Sequence, residues 1–106
     1  MTTKKSKDSS VSKLESRILG APLTFGAAVE SLRVGECHSQ AAFAKKLGVS
    51  RQYLCDVEKG RRPVSAAQAA RFAKAFGHPP NVLVRLAIQD EISACGLKLK
   101  VTLEAA

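Results

Sequence analysis

The sequence predicts an all-α domain of five helices, followed by one short C-terminal β-strand. Three observations carry that expectation. Apolar residues recur at three- and four-residue spacing in five segments between residues 24 and 96. Each segment opens on Thr24, Ser39, Ser50, Ser65 or Asn81, side chains that can cap a helix N-terminus. Each closes on Gly35, Gly48, Gly60, Gly77 or Gly96, where a chain can leave a helix. After Gly96 the period changes to two, because Leu97, Leu99, Val101 and Leu103 alternate with Lys98, Lys100, Thr102 and Glu104.

The elements follow in order. Residues 1–13 hold four lysines and one aspartate among mostly Ser and Thr, and are expected to be a flexible basic arm. Residues 14–96 are expected to form the domain. A short helical piece is expected over 12–19, with Leu14, Ile18 and Leu19 on one side, stopped by Gly20-Ala21-Pro22. The first full helix buries Phe25, Ala28, Val29 and Leu32. The second, Gln40–Leu47, turns in Ala41, Phe43, Ala44 and Leu47. The third runs from Arg51 to about Lys59, with Leu54 and Val57 inward. The fourth carries Ala66, Ala69, Ala70, Phe72, Ala73 and Phe76. The fifth follows Gly77-His78-Pro79-Pro80 and is apolar beyond one face, as expected of a helix that also meets a partner subunit. The segment 97–106 is expected to be a dimerisation element: a lone strand cannot satisfy its own backbone, and its natural partner is the same strand in a second copy. A disordered tail, or a strand folded onto the fifth helix, are the alternatives.

Composition narrows the function classes. A chain of 106 residues with 45% apolar and 25% charged residues has room for one core. No apolar run approaches the roughly 20 residues of a membrane span, and Met1–Ser10 lacks the apolar stretch of a secretory signal. Three cysteines without Cys-x-x-Cys spacing fit a reducing, cytoplasmic setting. Lys and Arg total 17 against 9 acids, a formal charge of +8, which favours polyanionic partners. Only Phe25, Phe43, Tyr53, Phe72 and Phe76 are aromatic. They are not interleaved with basic residues as a single-strand stacking surface requires, so duplex DNA is the expected ligand.

The informative segment is SQAAFAKKLGVSRQYLCDVEKGRR, residues 39–62. Two short helices joined by a tight turn at Gly48 form a helix-turn-helix, the motif proper spanning 39–60. Small Ala44 allows close approach at the turn, with Leu47, Val49, Leu54 and Val57 beneath. The start of the third helix carries the residues expected to read bases. Arg51 can donate twice to guanine O6 and N7, and Gln52 can pair bidentately with adenine N6 and N7. Tyr53 can contact a thymine methyl or a phosphate, or pack. Asp56, one turn after Gln52, can accept from cytosine N4 or orient Arg51 or another neighbour. Ser39, Gln40, Lys45, Lys46, Ser50, Lys59, Arg61 and Arg62 are expected at phosphates; from 45 to 62 there are six basic residues and two acids.

This stretch resembles the Xre/Cro helix-turn-helix family, which includes the lambda and 434 repressors. The resemblance rests on Gln40, Phe43, Ala44, Lys46, Leu47, Gly48, Val49, Ser50, Leu54, Val57, Glu58, Gly60 and Arg62. It implies the five-helix, lambda repressor-like fold over about residues 24–90. It implies that Gln40 holds a phosphate and that Arg51, Gln52 and Asp56 face bases. It also implies a structural ion pair between Arg33 and Glu58. The layout of leader, compact domain and strand-like tail further resembles the antidote proteins of bacterial toxin–antitoxin operons, which bind their own promoters as dimers and also bind a toxin, often an RNase. Cys37-His38 at the end of the first connection departs from the family pattern.

No enzymatic constellation is evident. Adjacent Cys37 and His38 cannot easily share one metal, and no metal or cofactor is expected. Cys55 reads as a small packed residue or a redox-sensitive one, Cys95 precedes the strand, and His78 reads as a loop residue. Glu30, Glu36, Asp90 and Glu91 show no paired-carboxylate pattern, and no phosphate-binding glycine loop is present. The expected function is therefore a dimeric, sequence-specific (auto)repressor. The alternative is an antitoxin that mainly neutralises an RNase-type toxin, with promoter binding as autoregulation.

Overall fold

A computed structural model describes residues 23–106. The expected arm and the helical piece at 12–19 lie outside the described residues. Five helices follow: α1 Phe25–Gly35, α2 Gln40–Leu47, α3 Arg51–Glu58, α4 Ala66–Phe76 and α5 Asn81–Ala94. Four begin as their sequences direct. The hydroxyls of Thr24, Ser39, Ser50 and Ser65 accept from the backbone N–H of Ala27, Ala42, Tyr53 and Gln68 at 3.0–3.2 Å. The fifth differs: Asn81 is the first helical residue, Pro80 occupies the cap position, and no side chain caps the end. Proline fits there because it has no N–H to leave orphaned.

The core gathers one face of every helix. Phe43 of α2 stacks on Phe76 of α4 at 4.4 Å between centroids, and Phe25 of α1 meets Phe72 of α4 edge-on at 5.3 Å. Val29, Leu54, Val57, Leu83 and Leu86 are buried among them, with Leu23, Leu47 and five alanines filling the remaining space. Two expected core positions, Ala41 and Ala66, are exposed instead. Each lies in the first turn of its helix, beyond the reach of the packed face. Among the described residues no helix is long and apolar enough to cross a membrane.

Close approach of α1 to the end of α3 depends on Gly26. A Cβ there would land on the backbone carbonyl oxygens of Val57 and Glu58, inside van der Waals contact. Backbone cannot step aside as a side chain tip can. Gly26→Ala is expected to destabilise the domain by about 2 kcal/mol or more, at the upper part of the overpacking range. Urea denaturation would show it as a lower midpoint with an unchanged slope.

The exit from α1 runs through Cys37-His38, the pair that departs from the family pattern. Cys37 has φ +61°, in the left-handed region. The N–H of Cys37 bonds to Val34 O and that of His38 to Arg33 O, both at 3.0 Å, closing the helix end. Glycine usually fills this position because a Cβ costs about 1–2 kcal/mol there. Cys37→Gly is expected to raise stability by roughly 1 kcal/mol, less what the more flexible unfolded chain takes back. Thermal unfolding of the two forms would measure the gain.

The last segment requires a correction. The described residues contain no strand: 97–106 is without regular structure. The physical reason is that the single chain offers it no ladder partner. The tail is nevertheless tethered. The Gln89 side chain on α5 donates Nε2 to Leu99 O at 2.8 Å and accepts from Val101 N at 2.7 Å. The N–H of Leu97 reaches Ile92 O at 3.3 Å.

Next to Gln89 on α5, Asp90 Oδ2 accepts the backbone N–H of Phe25 at 3.0 Å, joining α5 to the first turn of α1. Burial pushes this carboxyl above its ordinary value, and the Phe25 bond opposes that rise. A carboxyl raised in the folded state favours folding below its ordinary pKa, and that contribution is lost as pH rises through the folded value. Asp90→Asn keeps an acceptor and removes the desolvated charge, so it is expected to stabilise the domain at pH 7, with a gain that shrinks toward pH 4. Asp90→Ala removes the acceptor and is expected to cost about 1 kcal/mol. Melting curves at the two pH values separate these effects.

Candidate nucleic-acid interface

The helix-turn-helix is built by α2, the turn at 48–50, and α3. Gly48 leaves α2 with φ +77°. The N–H of Val49 reaches Ala44 O at 3.0 Å, and half-buried Val49 packs on the core. Fully buried Ala44 and Leu54 permit the two helices to approach. One stabiliser of this turn was not legible in the sequence. Arg71 on α4 donates NH2 to Leu47 O at 3.1 Å, satisfying the last carbonyl of α2. Its NH1 is held by Gln68 Oε1 at 3.2 Å.

Behind the motif lies a buried ionic cluster. Arg33 Nε meets Glu58 Oε2 at 2.6 Å and NH2 meets Oε1 at 3.0 Å, a bidentate pair. The third nitrogen, NH1, donates to His38 O at 2.9 Å. The Glu58 carboxylate, through its hydrogen bond to Arg33, holds the guanidinium pKa above its ordinary value. The pair joins α1 to the end of α3. Gln40 Nε2 also donates to Glu58 Oε1 at 2.9 Å. The residue expected at a phosphate is thus anchored on the ion pair through its amide, leaving its backbone N–H at the start of α2. Among the described residues no buried side-chain polar atom lacks a partner.

The outer surface of α3 carries the expected base readers. Arg51 and Gln52 are exposed in its first turn. Gln52 Nε2 donates to Asp56 Oδ1 at 3.0 Å, one turn below. The same oxygen accepts from Arg61 Nε at 3.1 Å and NH2 at 2.8 Å. Asp56 therefore orients Gln52 and Arg61, not Arg51. An amide nitrogen has two hydrogens, so Gln52 keeps one N–H and its Oε1 for a ligand. The Arg61 bond holds the Asp56 carboxyl below its ordinary value. The contribution of a carboxylate lowered in this way is present above its ordinary pKa and is lost only as pH falls through the lowered value.

Tyr53 is half-buried against the core, and the Arg62 guanidinium lies 5.1 Å from its ring centroid. Ser39 and Ser50 spend their hydroxyl oxygens on caps but keep a hydroxyl proton to donate. Lys45, Lys46, Lys59, Arg61 and Arg62 are all exposed on or beside the motif. Cys55 is half-buried, and Cys37 and Cys95 are exposed. In the α1–α2 and α4–α5 connections, Glu36 lies 3.8 Å from His38 Nε2 and 3.7 Å from His78 Nε2. Among the described residues no group of three or more His, Cys, Asp or Glu is placed to hold a metal ion.

Comparison with known proteins agrees with this geometry. Two solved structures of the clp gene regulator ClgR from Corynebacterium glutamicum are similar to the chain. One has 29% identity and a TM-score of 0.55, covering 65% of this chain and 92% of that one. The other has 28% identity and a TM-score of 0.55, covering 71% and 84%. A comparison with curated proteins finds no match. The helix-turn-helix domain family model matches residues 24–86, from the cap of α1 into α5. That match takes in more than half of the chain and every residue of the motif, and the chain belongs to the helix-turn-helix domain family.

Proposed function

We propose that this chain is a sequence-specific double-stranded DNA-binding transcription regulator, acting as a homodimer that represses its own promoter. The observation that carries the reading is the first turn of α3. Arg51 and Gln52 stand exposed there, Gln52 is pre-oriented by Asp56, and exposed lysines and arginines surround them. An α-helix fits the major groove, and these two side chains match the edges of guanine and adenine. Gln40, Ser39 and Ser50 at the helix starts, with Lys45, Lys46, Lys59, Arg61 and Arg62, supply phosphate contacts that set register. Two copies related by a twofold axis would place α3 in successive major grooves, about 34–36 Å apart. Likeness to a gene regulator at 29% identity supports the same class of function.

Fluorescence anisotropy tests the reading. The probe is the duplex upstream of the chain's own gene, with a scrambled duplex as control, titrated at several salt concentrations. The expected result is tighter binding to the upstream duplex, with affinity on both falling as salt rises. Equal affinity for the two duplexes at every salt concentration would reject sequence reading.

A further inference from the structure

The tail beyond α5 is organised by its backbone edges. Leu97 N–H, Leu99 C=O and Val101 N–H all bond to α5, through Ile92 O and the Gln89 amide. The Leu97 bond closes the end of α5 after Gly96, and the Leu99 and Val101 contacts, two residues apart on one amide, describe an extended segment with its odd-numbered edge turned to the helix. The Gln89 amide spans Leu99 and Val101 as one residue of a neighbouring strand would. The backbone groups of Lys98, Lys100, Thr102 and Glu104 point the other way. They make no backbone hydrogen bond among the described residues. Leu97, Leu99 and Leu103 are 50%, 59% and 41% exposed, so three of the odd side chains lack cover in one copy while Val101 is half-buried.

We propose that this open edge pairs with the same edge of a second copy, antiparallel and centred on Val101. The inference rests on the homodimer reading above and gives that dimer its interface and register. Only a register that sets even residues opposite even residues uses the open edge. Centring on Val101 places Lys98 opposite Glu104, Lys100 opposite Thr102, and Leu99 opposite Leu103. Opposite charges and apolar pairs then face each other twice across the axis. A shift by two residues in one direction sets Lys100 against its own copy, a like-charge clash. The same shift in the other direction pairs Lys100 with Glu104 and Val101 with Leu103, but it sets Leu99 against Ala105, moves Lys98 to the chain end opposite Ala106 and shortens the ladder. The register centred on Val101 is the one that keeps the leucine pairs and engages Lys98 with Glu104, which the substitutions below distinguish from the register centred on Thr102. Gln89 is a positioning residue: it holds the segment extended and leaves the pairing edge outward.

The test is sedimentation equilibrium of the full chain without DNA. The chain is expected to dimerise. Lys98→Glu alone and Glu104→Lys alone are each expected to weaken dimerisation by about tenfold, since each sets like charges opposite one another at two sites. The double exchange is expected to restore it. Lys100→Pro removes an outward N–H while sparing both Gln89 contacts, and is expected to weaken the dimer with unchanged helical circular dichroism. Gln89→Ala is expected to do the same from the helix side. A dimer indifferent to both the charge exchange and Lys100→Pro would overturn the tail pairing and leave the homodimer standing. A monomer at every concentration would overturn both.

Discussion

Arg51→Ala/Gln52→Ala is expected to abolish discrimination between the chain's operator and a scrambled duplex while leaving the fold intact. Both side chains are exposed and neither contributes to the core, so truncation removes ligand contacts without a cavity. Each bidentate base contact is worth about 1–3 kcal/mol of discrimination, so their joint loss is at least about thirtyfold in the ratio of dissociation constants. What remains is attraction to phosphate, blind to sequence and steeply dependent on salt. Lys45→Ala/Lys46→Ala is expected to behave in the opposite way, weakening binding to both duplexes alike and flattening the salt dependence. Anisotropy titrations of the two double variants on the two duplexes give the comparison. If Arg51 and Gln52 prove dispensable for discrimination and the lysine changes alter it, base reading lies elsewhere than the first turn of α3.

The parts that were legible in the sequence are those governed by local rules. Thr24, Ser39, Ser50 and Ser65 marked helix starts because a hydroxyl can satisfy an orphan N–H three residues on, and each does so. Phe43, Leu47, Leu54 and Val57 marked the interior of the motif by their period, and all four are buried. The family resemblance placed Arg33 against Glu58, and the two meet bidentately. Contacts between distant segments left no such trace. Gly26 reads as an ordinary residue in a helix until α3 is laid against it. Arg71 lies 24 residues from the carbonyl it caps, and its spacing to Leu47 has no periodic meaning. Gln89 reads as a polar residue in an apolar helix, and only the returning tail gives it partners. Asn81 misled because it follows two prolines as a cap would, but Pro80 takes the cap position and Asn81 enters the helix. The tail misled because period two specifies a segment able to pair, whereas a strand also needs a partner.

The largest loss of stability is expected from breaking the Arg33–Glu58 pair on one side only. Glu58 is 7% exposed and Arg33 9%. Arg33→Ala would leave the Glu58 carboxylate buried with Gln40 as its one remaining donor of the three it has now. Leaving one member of a buried pair uncompensated costs about 3–5 kcal/mol, a large share of the 5–15 kcal/mol that holds a domain of this size. The melting temperature should fall by about 10 °C or more. Glu58→Ala should cost as much, for it strands the guanidinium and releases Gln40 at the start of α2. The raised pKa of Arg33 sets the pH dependence. A cation raised in the folded state contributes its full stability below its ordinary value, so the penalty should be the same throughout the neutral range. Arg33→Met/Glu58→Leu distinguishes a cost of unpaired charge from a cost of lost shape. It removes both charges and keeps most of the volume, so it should recover much of what either single change loses. That variant should nonetheless bind DNA less well, because Gln40 would lose the oxygen that holds its side chain at the start of α2. Recovery of the melting temperature without recovery of DNA affinity would assign Glu58 two roles, one in holding α1 to α3 and one in positioning Gln40. Recovery of both would leave Glu58 the structural role alone.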